Sequence, residues 1–233
     1  MKKGIFYIIG ITLIVIIGIL SFIFFNSSLK KEANLDIKEG IVTSAENKNI
    51  YGTFKTNSNW VKDPIIPDNV IEMAHNYAIV KVKINYIGEA DFIKLTDPCP
   101  YTPVNVDVIE VIDGTMEKGT KTLYVEGGDV KVSNVLKTLN EAEKEKMELQ
   151  DITQEDAENM YISYISDQDY KMELGKEYTL ILSNRDNSII MANGYGIFTE
   201  DTGASIQSKN TTRTFKNVIT GKELNCKDKG EVY

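Results

Sequence analysis

An unbroken apolar run stands at the head of this chain, and short alternating patterns fill the rest. Residues 4–25 carry no charge and are dominated by Ile, Leu, Val and Phe, with Thr12 and Ser21 as polar members. As a helix rising 1.5 Å per residue the run is about 33 Å long, enough to cross a hydrocarbon core of about 30 Å. The spacing therefore predicts a transmembrane anchor over residues 1–25, with the membrane contact at residues 4–25. A cleavable signal peptide has a shorter apolar region followed by small residues. Here the run ends Phe24-Phe25-Asn26, so an uncleaved anchor is expected.

Residues 26–62 are polar and weakly patterned. They read as a juxtamembrane stalk, with a short strand at residues 40–44. Trp60, Pro64 and Pro67 mark the entry to a folded region at residues 63–233, with the lone Trp60 as a packing residue. Asp68 can cap a short helix over residues 69–76, whose Val70, Ile71 and Met73 share one side. Residues 78–86 then alternate with period two. Val80, Val82, Ile84 and Tyr86 point one way and Lys81, Lys83 and Asn85 the other, which describes a half-buried strand.

Residues 102–112 form a second expected strand. Val104, Val106 and Val108 alternate, after which Ile109 and Val111 take over the apolar phase, the slip that a β-bulge produces. A third strand is expected at residues 120–125, closed by Gly127-Gly128. Residues 133–165 look different: Val135, Leu136, Leu139, Ala142 and Met147 make a helical stripe, and Thr153 with Asp156 resembles a capping box. Residues 141–160 hold eight acidic residues and two lysines. This is read as a solvated acidic helical insertion, since the oxygen-ligand spacing of a calcium loop is missing. Strands resume at residues 177–182. Turn chemistry follows at residues 184–187, and Asn193-Gly194 predicts a type I′ hairpin between residues 189–192 and 195–199. A last strand is expected at residues 212–219. The tail from Gly221 holds too few apolar residues to hold itself down.

Charge narrows the partners. Net charge is −8, and without Lys2 and Lys3 the remaining chain carries 24 basic and 34 acidic residues. Such a surface repels phosphate backbones, so no nucleic-acid partner is expected. Lys2 and Lys3 are matched by Lys30 and Lys31 beyond the run; the short N-terminal flank and the large acidic domain favour the N-terminus inside and the domain outside the cytoplasm. Cys99 and Cys226 are the only cysteines. In an exported protein an even pair suggests one disulfide, worth about 4–5 kcal/mol for so long a loop in the chain-entropy picture. Two unrelated thiols are the other reading.

Catalytic patterns are sparse. His75 is the only histidine, and it is read as a packing or solvent-facing residue. Nucleophilic catalysis needs a base beside the nucleophile, and neither cysteine has such a setting. The dinucleotide fingerprint, P-loop and G-x-S-x-G elbow are missing, and Gly127-Gly128 reads as a turn. No catalytic, cofactor-binding or metal-ligating residue is assigned, and no cofactor is expected.

Three stretches carry a resemblance. They are Asn69-Val-Ile-Glu-Met-Ala-His-Asn-Tyr-Ala-Ile-Val-Lys-Val82, Val104-Asn-Val-Asp-Val-Ile-Glu-Val-Ile-Asp-Gly114 and Leu174-Gly-Lys-Glu-Tyr-Thr-Leu-Ile-Leu182. In that order they resemble extracytoplasmic proteins of low-GC Gram-positive bacteria that look like the OB-type barrel of the netrin and metalloprotease-inhibitor (NTR/TIMP-like) domain. The likeness implies that barrel over roughly residues 69–199 and places Cys99 just before its second strand. Inhibitors of that fold block zinc with an N-terminal Cys-x-Cys ridge, and no cysteine precedes Cys99, so the inhibitory mechanism does not carry over. The opening Met-Lys-Lys-Gly-Ile-Phe resembles a type IV prepilin, but Ile9 stands where that family needs Glu.

The expected fold is thus mainly β (α+β): one N-terminal transmembrane helix plus one small OB-like β-barrel with a helical insertion, in a single-pass protein of the cell membrane. The expected function is a non-enzymatic module that binds a protein or cell-envelope partner. The alternatives are an extracytoplasmic hydrolase using carboxylates and a structural pilin-like subunit.

Overall fold

In strand β2, Tyr77–Ile87, the alternation expected from the sequence sends Val80, Val82 and Ile84 into a closed apolar interior. The opposite face is not uniformly wet, because Ile79 is buried in a second core. The computed structural model describes residues 48–56, 59–95, 97–183, 189–200 and 212–227, all within a compact unit spanning Ser44–Tyr233. The apolar run of residues 4–25, the expected strand at 40–44 and the turn at 184–187 lie outside the described residues. Among the described residues no helix is long and apolar enough to cross a membrane.

The molecule is mainly β. Strand β1 is Asn49–Lys55, and helix α1, Pro67–Met73, leads into β2. Then come β3, Tyr101–Gly114, β4, Gly119–Glu126, and β5, Gly128–Lys131. Three short helices follow: α2, Val132–Val135, α3, Glu141–Lys146, and α4, Gln154–Asn159. The remaining strands are β6, Met160–Ile165, β7, Glu177–Ser183, β8, Ile189–Ile190, β9, Ile197–Glu200, β10, Thr212–Asn217, and β11, Glu223–Lys227. Five strands close on themselves in the order β2-β3-β4-β8-β7 and back to β2. The joint is short: Tyr124 pairs with Ile189 in parallel, and Leu182 with Ile190 antiparallel. Strands β9, β10 and β11 continue the sheet from β7. Their inner side, with Phe198, Phe215 and Leu224, packs on Ile79, Ile181 and Val70 of α1.

The bulge expected in β3 is present. Lys81 pairs with Glu110 and the next residue, Val82, with Val108, so Ile109 is the extra residue. Val108 and Val111 therefore face the same interior, while Ile109 itself is 42% exposed. A bulge keeps the interior apolar while bending the strand, which closing a small barrel requires.

Several expectations are corrected. Residues 49–55 are not stalk: β1 lies parallel to β6 at the edge of a separate three-stranded sheet, β1-β6-β5. Residues 133–165 are not wholly helical, since the segment ends in β6. Its helical stripe is split where Asn140 caps α3 and shares a capping box with Glu143. Thr153 does cap α4, accepting from the Asp156 amide. Asp68 is not a cap but sits in the first turn of α1, behind Pro67. Asn193-Gly194 is no hairpin turn, because β8 and β9 do not pair with each other. The left-handed residues there are Ala192 and Asn193, and Asn193–Gly196 is a 3-10 turn. The C-terminal tail is held down as well. Strand β11 pairs with β10, burying Leu224 and Cys226.

Candidate functional site

Among the described residues, strand β1 is the least covered strand that still carries large apolar side chains. Ile50, Tyr51 and Phe54 are 42%, 41% and 39% exposed within five residues. Beside them runs a groove of about 430 Å³. Its floor is Gly52 with the buried Ile162 of β6, which pairs with Gly52 across the sheet. Leu139 and Met147, at the two ends of α3, form one wall, and Tyr51 and Phe54 form the other. Glu143 and Lys146 are the charged residues of its lining.

Local chemistry fixes these walls. Phe54 stacks on Tyr164 at a centroid distance of 5.3 Å, and Phe92 meets Tyr164 edge-on. The Tyr51 hydroxyl donates to the Glu148 carbonyl at 2.9 Å, tying β1 to the end of α3. The Glu143 carboxylate accepts from the Asn140 amide at 2.8 Å, so it is committed to the helix cap. Lys48 reaches Asp129 at 3.3 Å and lies over the Tyr161 ring, which anchors the start of β1.

Two charged clusters lie away from the groove. On the side of the main sheet that carries Phe215, Arg213 bridges Glu110 at 2.6 Å and Glu200 at 2.9 Å, and Lys81 bridges Glu177 and Glu200 at 3.0 Å each. Although partial burial works the other way, hydrogen bonds from Lys81 and Arg213 hold the Glu200 carboxyl below the usual range. With cations and carboxylates neutralising one another, this network ties strands together. The second cluster holds Cys99, Glu126 and Asp169. Burial pushes the Glu126 carboxyl up, with repulsion from Asp169 adding to it. Burial likewise raises Asp169, which accepts from the Ser166 amide at 2.8 Å and from Asn193 Nδ2 at 3.1 Å. Neither carboxylate lines the groove.

The structure does not bring Cys99 and Cys226 together; both are free thiols. Cys99 sits against Glu126, and burial and that carboxylate push its thiol up to about 11. Cys226 is buried beside Phe215 and Leu224 and is pushed up to about 11 chiefly by burial. His75 is exposed at the end of α1, where its carbonyl accepts from the Ser183 hydroxyl. Trp60 packs against the second core, and its indole N–H donates to Gln168 Oε1 at 3.1 Å. Gly127 and Gly128 turn the chain from the barrel into β5 with positive φ, and a Cβ on Gly128 would strike Thr102 Oγ1.

The groove residues of β1 were hidden in the expected stalk. The signal present was the trio Ile50, Tyr51 and Phe54 in an otherwise polar stretch. Among the described residues no group of three His, Cys, Asp or Glu side chains could hold a metal ion. Compared with protein-family models, curated proteins and solved structures, the chain matches none. The fold and groove define it only as a mainly β protein with an apolar groove at a sheet edge.

Proposed function

We propose that this chain is a single-pass membrane protein whose β domain stands outside the cytoplasm and serves as a non-enzymatic interaction module, engaging a protein or cell-envelope partner at the groove beside β1. The groove carries this reading. Contiguous exposed apolar side chains beside a concavity are unfavourable in water unless a partner covers them, and such patches mark interaction sites. Among the described residues that line the groove the one carboxylate, Glu143, is occupied as a helix cap. The uncharged run of residues 4–25 supports the anchor, and the acidic balance argues against nucleic acid as the partner.

The barrel is read as OB-type. In the ring β2-β3-β4-β8-β7 the third and last strands in chain order meet in parallel and the other neighbours are antiparallel, with the helical segment inserted between the third and fourth. That supports the NTR/TIMP-like resemblance in architecture, while architecture alone assigns no activity. The location is tested by carbonate extraction and by protease added to intact cells. The full-length chain is expected to stay in the membrane fraction and to be cleaved from outside. A shortened soluble form as the main product would refute the anchor.

A further inference from the structure

Gly52 stands in the interior of β1 where nothing in the backbone calls for glycine. Its φ is outside the left-handed region, and a Cβ built on it meets no atom within 4 Å. Glycine weakens a strand interior, and one that no turn or crowding requires often stands at a bulge or where a ligand or another backbone approaches closely. The pairing of β1 with β6 does shift register at Tyr51, but a bulge that requires glycine places it in the left-handed region, which Gly52 does not occupy. A side chain at position 52 would rise from the groove floor, so glycine keeps that floor open.

Two further observations fix what enters. Strand β1 is the edge of its sheet, and among the described residues its outer side pairs with no strand. Its middle, Ile50 to Phe54, lacks the charges and prolines with which edge strands are ordinarily protected from pairing. Of the facing segment, Glu143 and Lys146 line the groove itself, while Glu141, Glu145, Glu148 and Asp151 are exposed along the same segment outside the lining, against Lys144, itself paired to Glu141. The excess of carboxylates on that segment disfavours anionic ligands such as fatty acids and favours cations at the approach to the groove.

We propose that the groove takes an extended peptide segment of a partner, added as a strand to the outer edge of β1, with a bulky apolar side chain seated over Gly52 and flanking Lys or Arg against the glutamates of residues 141–148. Backbone hydrogen bonds to the strand edge supply general affinity, and the groove selects the apolar anchor. This rests on the interaction role proposed above and specifies its ligand.

The test uses the full chain in nanodiscs of zwitterionic lipid, with protein-free discs as background. The probes are a fluorescent nine-residue peptide alternating Lys and Leu and its Glu–Leu counterpart. The Lys–Leu peptide is expected to bind, and the Glu–Leu peptide to bind at least tenfold more weakly. Gly52→Leu, whose Cβ would meet no atom within 4 Å, is expected to weaken binding at least tenfold while leaving Tm unchanged or higher. Equal binding by Gly52→Leu, equal binding of the two peptides, or no binding at all would overturn the proposal. So would self-association of the chain that Gly52→Leu abolishes, which would assign the groove to a second copy. Should Gly52→Leu lower Tm, the triple variant Glu141→Gln, Glu145→Gln, Glu148→Gln decides, and unchanged affinity there rejects the basic ligand. If neither peptide binds but cross-linking from Phe54 still captures a membrane partner, the interaction role stands and strand addition fails.

Discussion

Asn217, at the end of β10, is a residue whose importance lies wholly in three dimensions. It is 5% exposed, and its Nδ2 group lies within 3.0 Å of the carbonyls of Gly194, Tyr195 and Ile197. Its Oδ1 accepts from the Ile219 and Thr220 amides and the Thr220 hydroxyl. One side chain thus satisfies the 3-10 turn and the β10–β11 turn together. Replacing it strands buried carbonyls, each costing about 1–3 kcal/mol, so Asn217→Ala is expected to destabilise by about 3 kcal/mol in denaturant titration. A cost below about 1 kcal/mol would show that water replaces these bonds. In sequence Asn217 is an ordinary turn-flanking residue, because its acceptors lie twenty or more residues upstream. Gly194, by contrast, is required by crowding rather than by the hairpin turn that Asn193-Gly194 predicts. It needs no left-handed backbone; a Cβ there would meet Ile219 Cδ1 and the Gln168 carbonyl. Glu126 supplies the pH dependence. Its folded carboxyl is raised above the ordinary 4.5, so the folded state binds its proton more tightly than the unfolded state does. The penalty for ionising it is complete above the folded value, shrinks as pH falls through that value, and vanishes below 4.5. Glu126→Gln is therefore expected to raise Tm at pH 7, with the gain fading as pH falls through the raised folded value towards 4.5 and lost below it. A gain independent of pH would place its origin in packing.

At the scale of elements, local alternation was legible and long-range pairing was not. Strands β2, β3, β4 and β7 followed from period-two spacing because one face of each meets the barrel interior. Even the slip at Ile109 could be seen in the order of the valines. Strand β1 could not be seen, since it is mostly exposed and pairs in parallel with a partner more than a hundred residues on. No turn signal accompanies such a pairing. Strand β11 was hidden by its length, for Leu224 and Cys226 are the only apolar residues it buries. The hairpin it makes is part of the second core, and Leu224 is 2% exposed. Leu224→Ala is expected to cost about 2–5 kcal/mol. An effect within 0.5 kcal/mol, as for a surface change, would restore the picture of a loose tail.

At the scale of the whole molecule, three apolar cores serve different ends. The barrel interior and the core beneath α1 are closed, filled by Val, Leu, Ile and Phe that are essentially inaccessible. The third, around Val130, Val135, Leu149 and Ile162, is covered by short helices and left open along β1. An acidic, helix-bearing insertion therefore does more than solvate the surface: with β1 it frames the groove. The groove escaped detection in sequence because its two sides come from segments ninety residues apart, one of them read as stalk. The most direct measurement is photo-cross-linking in intact cells from a benzoylphenylalanine placed at Phe54, on the groove wall, and for comparison at His75, an exposed residue away from it. A discrete adduct from position 54 that is lost in the Gly52→Leu background, with none from position 75, is the expected result. Equal adducts from both positions, or none from position 54, would contradict a partner bound at this groove.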